Sequence, residues 1–333
     1  MDLSIIVPIY NLESFLEQCL GSLVRQNTKY NYEVICVNDG SQDQSQIILE
    51  RFQNKYPSII RVFQNENEGV SIARNFGISK SIGKYITFVD GDDWVKETMV
   101  EDCLTAIYES DLDLLITDGI HVFDNKTEVV KEEVEAFVFN TENHVSGKVF
   151  KKSILEKYEL LFPKGVKVGE DFTFTFSYLM LINSYLKINA PFYYYRRNRP
   201  GSVMSNRKKL TYKDIFNACN ALVDFSQEHS KYEQHRENIE YVFIKNVIVR
   251  MLPKIIYKYF PNYLKIKSEV NEQQKFMNSH FPNWLDNKHF QNDLEGYFTE
   301  KLGDRYIHYL EKITKGNYIY FFCIFLNKIK KKK

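Results

Sequence analysis

Hydrophobic positions over the first 120 residues switch repeatedly between short continuous runs and a helical spacing. Leu3-Ser4-Ile5-Ile6-Val7 is rich in β-branched residues and reads as a buried strand. Leu12, Phe15, Leu16, Cys19, Leu20, Leu23 and Val24 then recur close to i, i+3, i+4, the spacing of one helix face, with Asn11 placed to cap it. Strand-like runs return at Glu33–Val37, Ile59–Phe63, Tyr85–Val89 and Leu112–Ile116. Helical stretches fill the intervals. One carries Ile47, Ile48 and Phe52 and opens with Ser41 and Gln44 as a capping box; Val70–Ser81 and Thr98–Glu109 follow. This alternation predicts an α/β fold, a mainly parallel sheet covered by helices on both faces.

The pattern is mixed from about 120 to 205, with strands expected near Val134–Phe139 and Ala190–Tyr195. Beyond about 210 it turns helical. Ile244, Val247, Ile248, Met251, Leu252, Ile255, Ile256 and Tyr259 form an apolar stripe with an expected kink at Pro253. Pro200-Gly201-Ser202 is the expected hinge into that region. The organisation is therefore read as 1–205, made of halves 1–120 and 121–205, followed by a mainly helical 206–333.

Composition narrows the class. With 44 Lys+Arg against 43 Asp+Glu the chain is nearly neutral, which argues against a dedicated nucleic-acid binder. The balance hides an asymmetry: 21 basic against 29 acidic residues in 1–200, and 23 against 14 in 201–333. Two regions with different partners are implied. The 5 cysteines have no short spacing, which excludes a zinc ribbon or redox pair and suggests reduced thiols in a cytosol. Asp2 and Pro8 spoil any signal-peptide reading of the start, and no apolar run reaches membrane-spanning length.

In an open parallel sheet, ligands bind beyond the carboxyl ends of the strands. Three predicted strands are followed there by polar turns: Pro8-Ile9-Tyr10-Asn11, Asn38-Asp39-Gly40-Ser41 and Asp90-Gly91-Asp92-Asp93. Three carboxylates within four residues repel one another unless a cation sits among them, and carboxylate oxygens suit Mg²⁺ or Mn²⁺ bridging to phosphates. The plainer alternative is a solvated turn with Asp93 capping the next helix. Gly77–Lys84 imitates a P-loop but is one residue too long and leads into a strand.

Ser4–Asn11, Val37–Asp43, Asn67–Asn75 and Phe88–Asp93, in this order and spacing, resemble the family 2 glycosyltransferases. Gly169-Glu170-Asp171 and Tyr193-Tyr194-Tyr195-Arg196 extend the likeness, which covers roughly residues 1–205. The resemblance implies a GT-A, Rossmann-like catalytic domain that inverts the anomeric centre of a nucleotide sugar. It implies that Pro8 and Tyr10 line the base pocket, that Asp39 accepts from the uracil imide, and that Arg74 lies near the donor. Asp90 would lie by the ribose and metal, and Asp92 would be the principal ligand of Mn²⁺ or Mg²⁺. Asp93 would orient the loop or touch the donor sugar. Asp171 would be the base, with Glu170 in support; for an acid at a helix start, a capping or dipole role is the alternative. Arg196, Arg199 and Ser202 would form a lid over the diphosphate or, equally, a basic linker. Lys148 would be acceptor-side or structural.

The expected activity is transfer of a hexose or N-acetylhexosamine from a UDP-sugar to a glycan or lipid-linked oligosaccharide in surface polysaccharide or capsule synthesis. The rivals are an inactive nucleotide-sugar-binding scaffold and a nucleotidyltransferase. Tyr318–Leu326 is apolar and aromatic, and Lys328 and Lys330–Lys333 follow it. This suits peripheral attachment of 317–333 to an anionic membrane at its cytoplasmic face, or simply a packed terminal helix.

Overall fold

The computed structural model describes residues 1–132, 134, 137–166, 168–197 and 212–295. The chain divides into two units, Met1–Asn206 and Arg207–Lys333. In the first unit the elements run β1 (Leu3–Ile9), α1 (Glu13–Val24), β2 (Tyr32–Asn38), α2 (Ser45–Lys55), β3 (Ile60–Gln64), α3 (Val70–Lys80), β4 (Tyr85–Phe88), β5 (Trp94–Val95) and α4 (Met99–Ser110). They continue with β6 (Leu114–Phe123), β7 (Lys126–Val130), β8 (Lys148–Lys151), α5 (Lys152–Lys157), α6 (Glu170–Leu179) and β9 (Tyr185–Arg196).

One sheet holds these strands in the order β3-β2-β1-β4-β8-β6-β9-β5, with β7 hairpinned on β6. The parallel pairing expected of most of the sheet is continuous from β3 to β4. Beyond β4 the sheet is mixed: β8 runs antiparallel to β4 and β6, β9 is parallel to β6, and β5 is antiparallel to β9.

Burial explains the seating of the helices. Leu3, Ile5, Val7 and Ile9 point to one face of β1, where Leu16, Cys19, Leu20 and Leu23 of α1 join Val100, Cys103, Leu104 and Ile107 of α4 in one core. Each fully buried Leu or Ile there contributes about 1.5–3 kcal/mol. On the other face α3 lies directly on β1: a Cβ at Gly77 would meet Ile6 Cγ2 at 2.4 Å. This close seat holds Arg74, one turn earlier, at the sheet edge.

Several expectations are corrected. Asn11 does not cap α1: its carboxamide oxygen accepts from Gln42 N (2.8 Å), and its own N–H donates to Ser41 Oγ (3.0 Å). Ser41 is thereby used across the loop, and α2 starts later, at Ser45. The polar side chains tie two loops together rather than capping their own helices. Val138–Asn140 is a 3₁₀ turn, not part of a strand. In α6, Phe172–Leu179 are all buried, Thr173, Thr175 and Ser177 included.

The second unit is helical over its described residues: α7 (Tyr212–Glu228), α8 (Tyr232–Phe243), α9 (Leu252–Tyr259), α10 (Tyr263–His280) and α11 (Lys288–Glu295). A π-helical segment, Ile244–Val249, continues α8. The irregularity expected at Pro253 therefore falls earlier. Pro253 itself sits in the first turn of α9, where a missing N–H costs nothing. Ile244, Val247, Ile248, Leu252, Ile255 and Ile256 of the predicted stripe are buried.

Candidate active site

The parallel register brings the carboxyl ends of β1, β2 and β4 to one edge: Ile9 pairs with Asn38, and Ile6 with Phe88. The turn after β2 is made by Asn38, whose Oδ1 accepts from Ser41 N (3.0 Å). Asp39 therefore takes no part in closing that turn. Asp39, 4% exposed, instead accepts the backbone N–H groups of Glu68 (2.9 Å) and Gly69 (2.8 Å), and so anchors the start of α3. Gly40 (φ +72°) lets this loop approach Asn67, whose N and Cβ lie 3.1 Å from where a Cβ would be. Beside it, Tyr10 is 44% exposed, and its hydroxyl accepts from Asn67 Nδ2 (3.4 Å). The edge thus offers an open aromatic face next to an anchored carboxylate.

The four acidic-loop residues have separate fates. Asp90 Oδ1 accepts from Arg74 Nη2 (2.9 Å). Asp93, expected to orient the loop or touch the donor sugar, is buried (2% exposed). Its Oδ2 accepts from Tyr193 Oη (2.7 Å) and its Oδ1 from Arg196 N (2.7 Å). Burial, reinforced by the charges of Asp90 and Asp92, pushes the Asp93 carboxyl well above the usual range. Asp93 therefore shapes the loop from beneath. The Tyr193 hydroxyl also accepts from Asp90 N (3.1 Å), binding both ends of the turn to β9. A Cβ at Gly91 would meet Leu12 Cδ1 at 2.7 Å, so α1 closes on the turn at that point.

Arg196 is held rather than poised to move. Its Nε donates to Asp92 O (3.0 Å) and its Nη2 to Gln18 Oε1 (2.6 Å). Its guanidinium lies 5.0 Å from the Phe15 ring centre and 4.7 Å from that of Trp94. In this state it braces Asp92 instead of forming a lid. Arg199, Ser202 and the tail 317–333 lie outside the described residues.

The main junction is Arg74. Only 3% exposed, it donates from Nη1 to Asp171 Oδ1 at 2.6 Å, with Glu170 Oε1 3.6 Å away, and from Nη2 to Asp90. Its guanidinium packs 5.2 Å from the centre of the Phe162 ring. That ring is fixed by a reciprocal pair, Asn75 Nδ2 to Phe162 O (2.9 Å) and Phe162 N to Asn75 Oδ1 (2.8 Å), which settles Asn75 as a scaffold contact. Gly169 (φ +93°) starts α6 and sets Glu170 and Asp171 in its first turn. A helix start and a guanidinium both favour a charged carboxylate. Burial nevertheless wins at Asp171: it pushes the carboxyl up to about 7 against the pull of Arg74, with Glu170 and Asp90 adding to the rise.

Sequence reasoning placed Asp90, Asp171, Glu170 and Arg74 at a site, with Asp90 among the partners open to Arg74, without pairing Arg74 with Asp171 or Glu170. It missed the function of Tyr193, although two-residue alternation along β9 was the available signal. It left Lys148 open. Lys148 is fully buried, donating to Glu142 O (3.1 Å) and His144 O (2.9 Å), with Glu132 Oε1 at 3.4 Å. That is a structural role, holding Glu132, Glu142 and His144 on one buried amine.

Among the described residues, no group of three or more His, Cys, Asp or Glu side chains is arranged to hold a metal. Asp90 and Asp92 remain a two-carboxylate set. That fits an ion which takes most of its ligands from phosphates and water. No helix of the described residues is long and apolar enough to cross a membrane.

Residues 4–167 match the family model described as Glycosyl transferase family 2. EpsH of Bacillus subtilis (strain 168) is 29% identical over 269 residues, covering 75% of this chain and 76% of EpsH. Glycosyltransferase GlyG of Streptococcus pneumoniae serotype 4 is 33% identical over 236 residues, covering 64% of this chain and 76% of GlyG. Other relatives are longer, and the chain spans between 29% and 61% of their length. Residues 1–349 of Staphylococcus aureus TarS, solved in complex with UDP-GlcNAc, share the fold with a TM-score of 0.70 and 20% identity, over 96% of this chain and 89% of that one. TarS is named as a poly(ribitol-phosphate) β-N-acetylglucosaminyltransferase. The expected GT-A-like architecture with a helical region beyond it is borne out.

Proposed function

The chain belongs to glycosyl transferase family 2, and from that premise we propose an inverting transfer of a hexose or N-acetylhexosamine from a UDP-sugar to a surface glycan or lipid-linked acceptor. The observation that carries the proposal is the Arg74 junction, which ties Asp90 of the nucleotide-side loop to Asp171 of α6. A base has to stand across the reacting carbon from the leaving group, and this junction sets a carboxylate on each side of one guanidinium.

On the donor side, Tyr10 and Pro8 line the uracil, and Asp39 keeps lone pairs for the imide N–H beyond its two backbone bonds. The UDP-GlcNAc held by TarS supports uridine as the nucleoside. Asp92, with Asp90, would hold Mn²⁺ or Mg²⁺. When bound, that ion supplies neutralisation of the charge that develops on the leaving diphosphate.

On the acceptor side, Asp171 takes the proton of the attacking hydroxyl as the new C–O bond forms. The bond from the anomeric carbon to the diphosphate oxygen breaks on the opposite face, which inverts the centre. A carboxylate raised to about 7 is matched to proton removal near neutral pH. Arg74 keeps that carboxylate aimed and limits its rise. Peripheral attachment of 317–333 to anionic lipid at the cytoplasmic face completes the proposal, since lipid-linked acceptors are presented there.

The test is a panel of nucleotide sugars with Mn²⁺, read as UDP release and as protection against thermal unfolding. Wild type turns over at least one UDP-sugar. Asp171→Asn still gains protection from UDP but turns over about 10²–10⁴-fold more slowly. Equal turnover by both proteins would remove Asp171 as the base, and protection by no uridine nucleotide would remove the donor assignment.

A further inference from the structure

Arg197 stands apart from the other arginines of the site. Arg74 meets carboxylates, and Arg196 meets a carbonyl and a carboxamide. Arg197 follows β9 directly, and its N–H donates to Val122 O of β6 (2.8 Å). In the parallel register His121 stands opposite Tyr195, on the same face. Arg197 Nη2 reaches His121 Nε2 at 2.9 Å, and its guanidinium lies 4.5 Å from the centre of the Tyr195 ring. The His121 and Tyr195 rings are themselves 5.7 Å apart. Among the described residues, no carboxylate pairs with Arg197.

A guanidinium resting on an imidazole and a phenol is fixed in place without being neutralised. The imidazole stays uncharged: burial, with Arg197 and His144 beside it, pushes His121 down to about 4, against Glu128 and Glu142. Among the described residues the fixed cation therefore meets no counter-charge, and only Nη2 of its planar donor fork is engaged by a side chain. Such a fork matches the oxygens of a phosphate group in pairs.

Its strands stand apart from those of the uridine edge: in the sheet order β6 and β9 lie beyond β4 and β8 from β1 and β2. Asp90, Asp92, Asp93 and Arg197 all act on the Tyr195 phenol, so the cation shares this ring with the acidic loop. Asn143, next to His144, is bonded to the helix that carries Asp171: its carbonyl accepts from Thr175 Oγ1 of α6 (3.1 Å), and His144 acts on both His121 and Asp171. The patch therefore borders the base rather than the uridine edge.

We infer that Arg197, seated on His121 and Tyr195, forms an anion subsite on the acceptor side that takes a phosphate or phosphodiester group of the acceptor. The inference rests on the transferase reading, and it adds that the acceptor carries phosphate close to the hydroxyl that attacks. The Tyr195 ring beside the cation suits the polyol or sugar carbons flanking such a group.

The experiment is an NMR titration of the full chain, observing the His121 imidazole signals assigned by their loss in His121→Phe. The probe is glycerophosphoglycerol, with glycerol as the neutral control, each titrated with and without saturating UDP. The expected result is a saturable shift with the phosphodiester only, retained in the presence of UDP. Arg197→Gln should weaken it at least about tenfold, and Arg197→Lys should restore part of it, as loss of a charge-assisted fork implies. UDP affinity, read separately by thermal protection, should stay within roughly twofold in both variants, because no donor contact is lost. No saturable shift, an undiminished shift in Arg197→Gln, or mutual displacement by UDP would each overturn the subsite; displacement would assign the cation to the donor diphosphate. Failure of UDP to bind wild type would count against the donor reading alone, since the titration without UDP still decides the subsite.

Discussion

The two halves of the first unit build their share of the site by different means. From β1 to β4 the functional groups sit on loops beyond parallel strands, and backbone hydrogen bonds tie those loops to one another, as Asp39 ties the start of α3. From β6 to β9 they come from a helix start and a strand end: Asp171 from α6, and Tyr193, Tyr195 and Arg197 from β9 and the residue after it. Only the loop-based half obeys the rule that places ligands beyond parallel strand ends. The other half depends on side chains reaching across the sheet, and Arg74 is where the two meet.

Removing that meeting point should have the largest effect. Arg74→Gln leaves Asp90, Glu170 and Asp171 crowded around a neutral amide. Breaking a buried charge pair in this way costs about 3–5 kcal/mol, visible in a denaturant titration, and transfer should fall with it. An unchanged unfolding midpoint would mean that the halves are held together elsewhere.

A gentler challenge is pH. The Asp171 carboxyl is raised to about 7 and must be unprotonated to act. Transfer by wild type should therefore be full above that pH and fall nearly tenfold for each unit below it. Because Arg74 lowers the Asp171 value, the residual activity of Arg74→Gln should show its acid limb moved to higher pH. An acid limb near 4 in the wild type would mean that burial does not govern the base.

The smallest expected effect is on the brace shared by both halves. Tyr193→Phe removes the donor to Asp93 and the acceptor for Asp90 N. Unsatisfied buried groups of this kind cost about 1–3 kcal/mol, read as a lowered unfolding midpoint with UDP binding retained.

The same comparison explains what could be read in advance. The first half was legible because its strands and helices have contrasting periods and each turn follows a buried run. Its cap assignments failed at Asn11 and Ser41 because the right polar chemistry was used between loops, a choice that local spacing does not encode. The second half resisted for clearer reasons. β8 has only 4 residues and β7 is mostly exposed, so neither carries an apolar signature. β6 runs on through Thr117, Asp118 and Gly119, which read as its end. The bond from Arg74 to Asp171 spans 97 positions, and no periodicity reports such a pairing.

The Arg74 junction also bears on how such enzymes can be recombined. One guanidinium on the donor side is shared with acids contributed by a distant stretch of chain, so the two stretches are not interchangeable parts. A chimera that takes its first hundred residues from one relative and the remainder from another would inherit a cation and its acids from different parents. Its success should depend less on matching loop lengths than on whether that single ion cluster closes again.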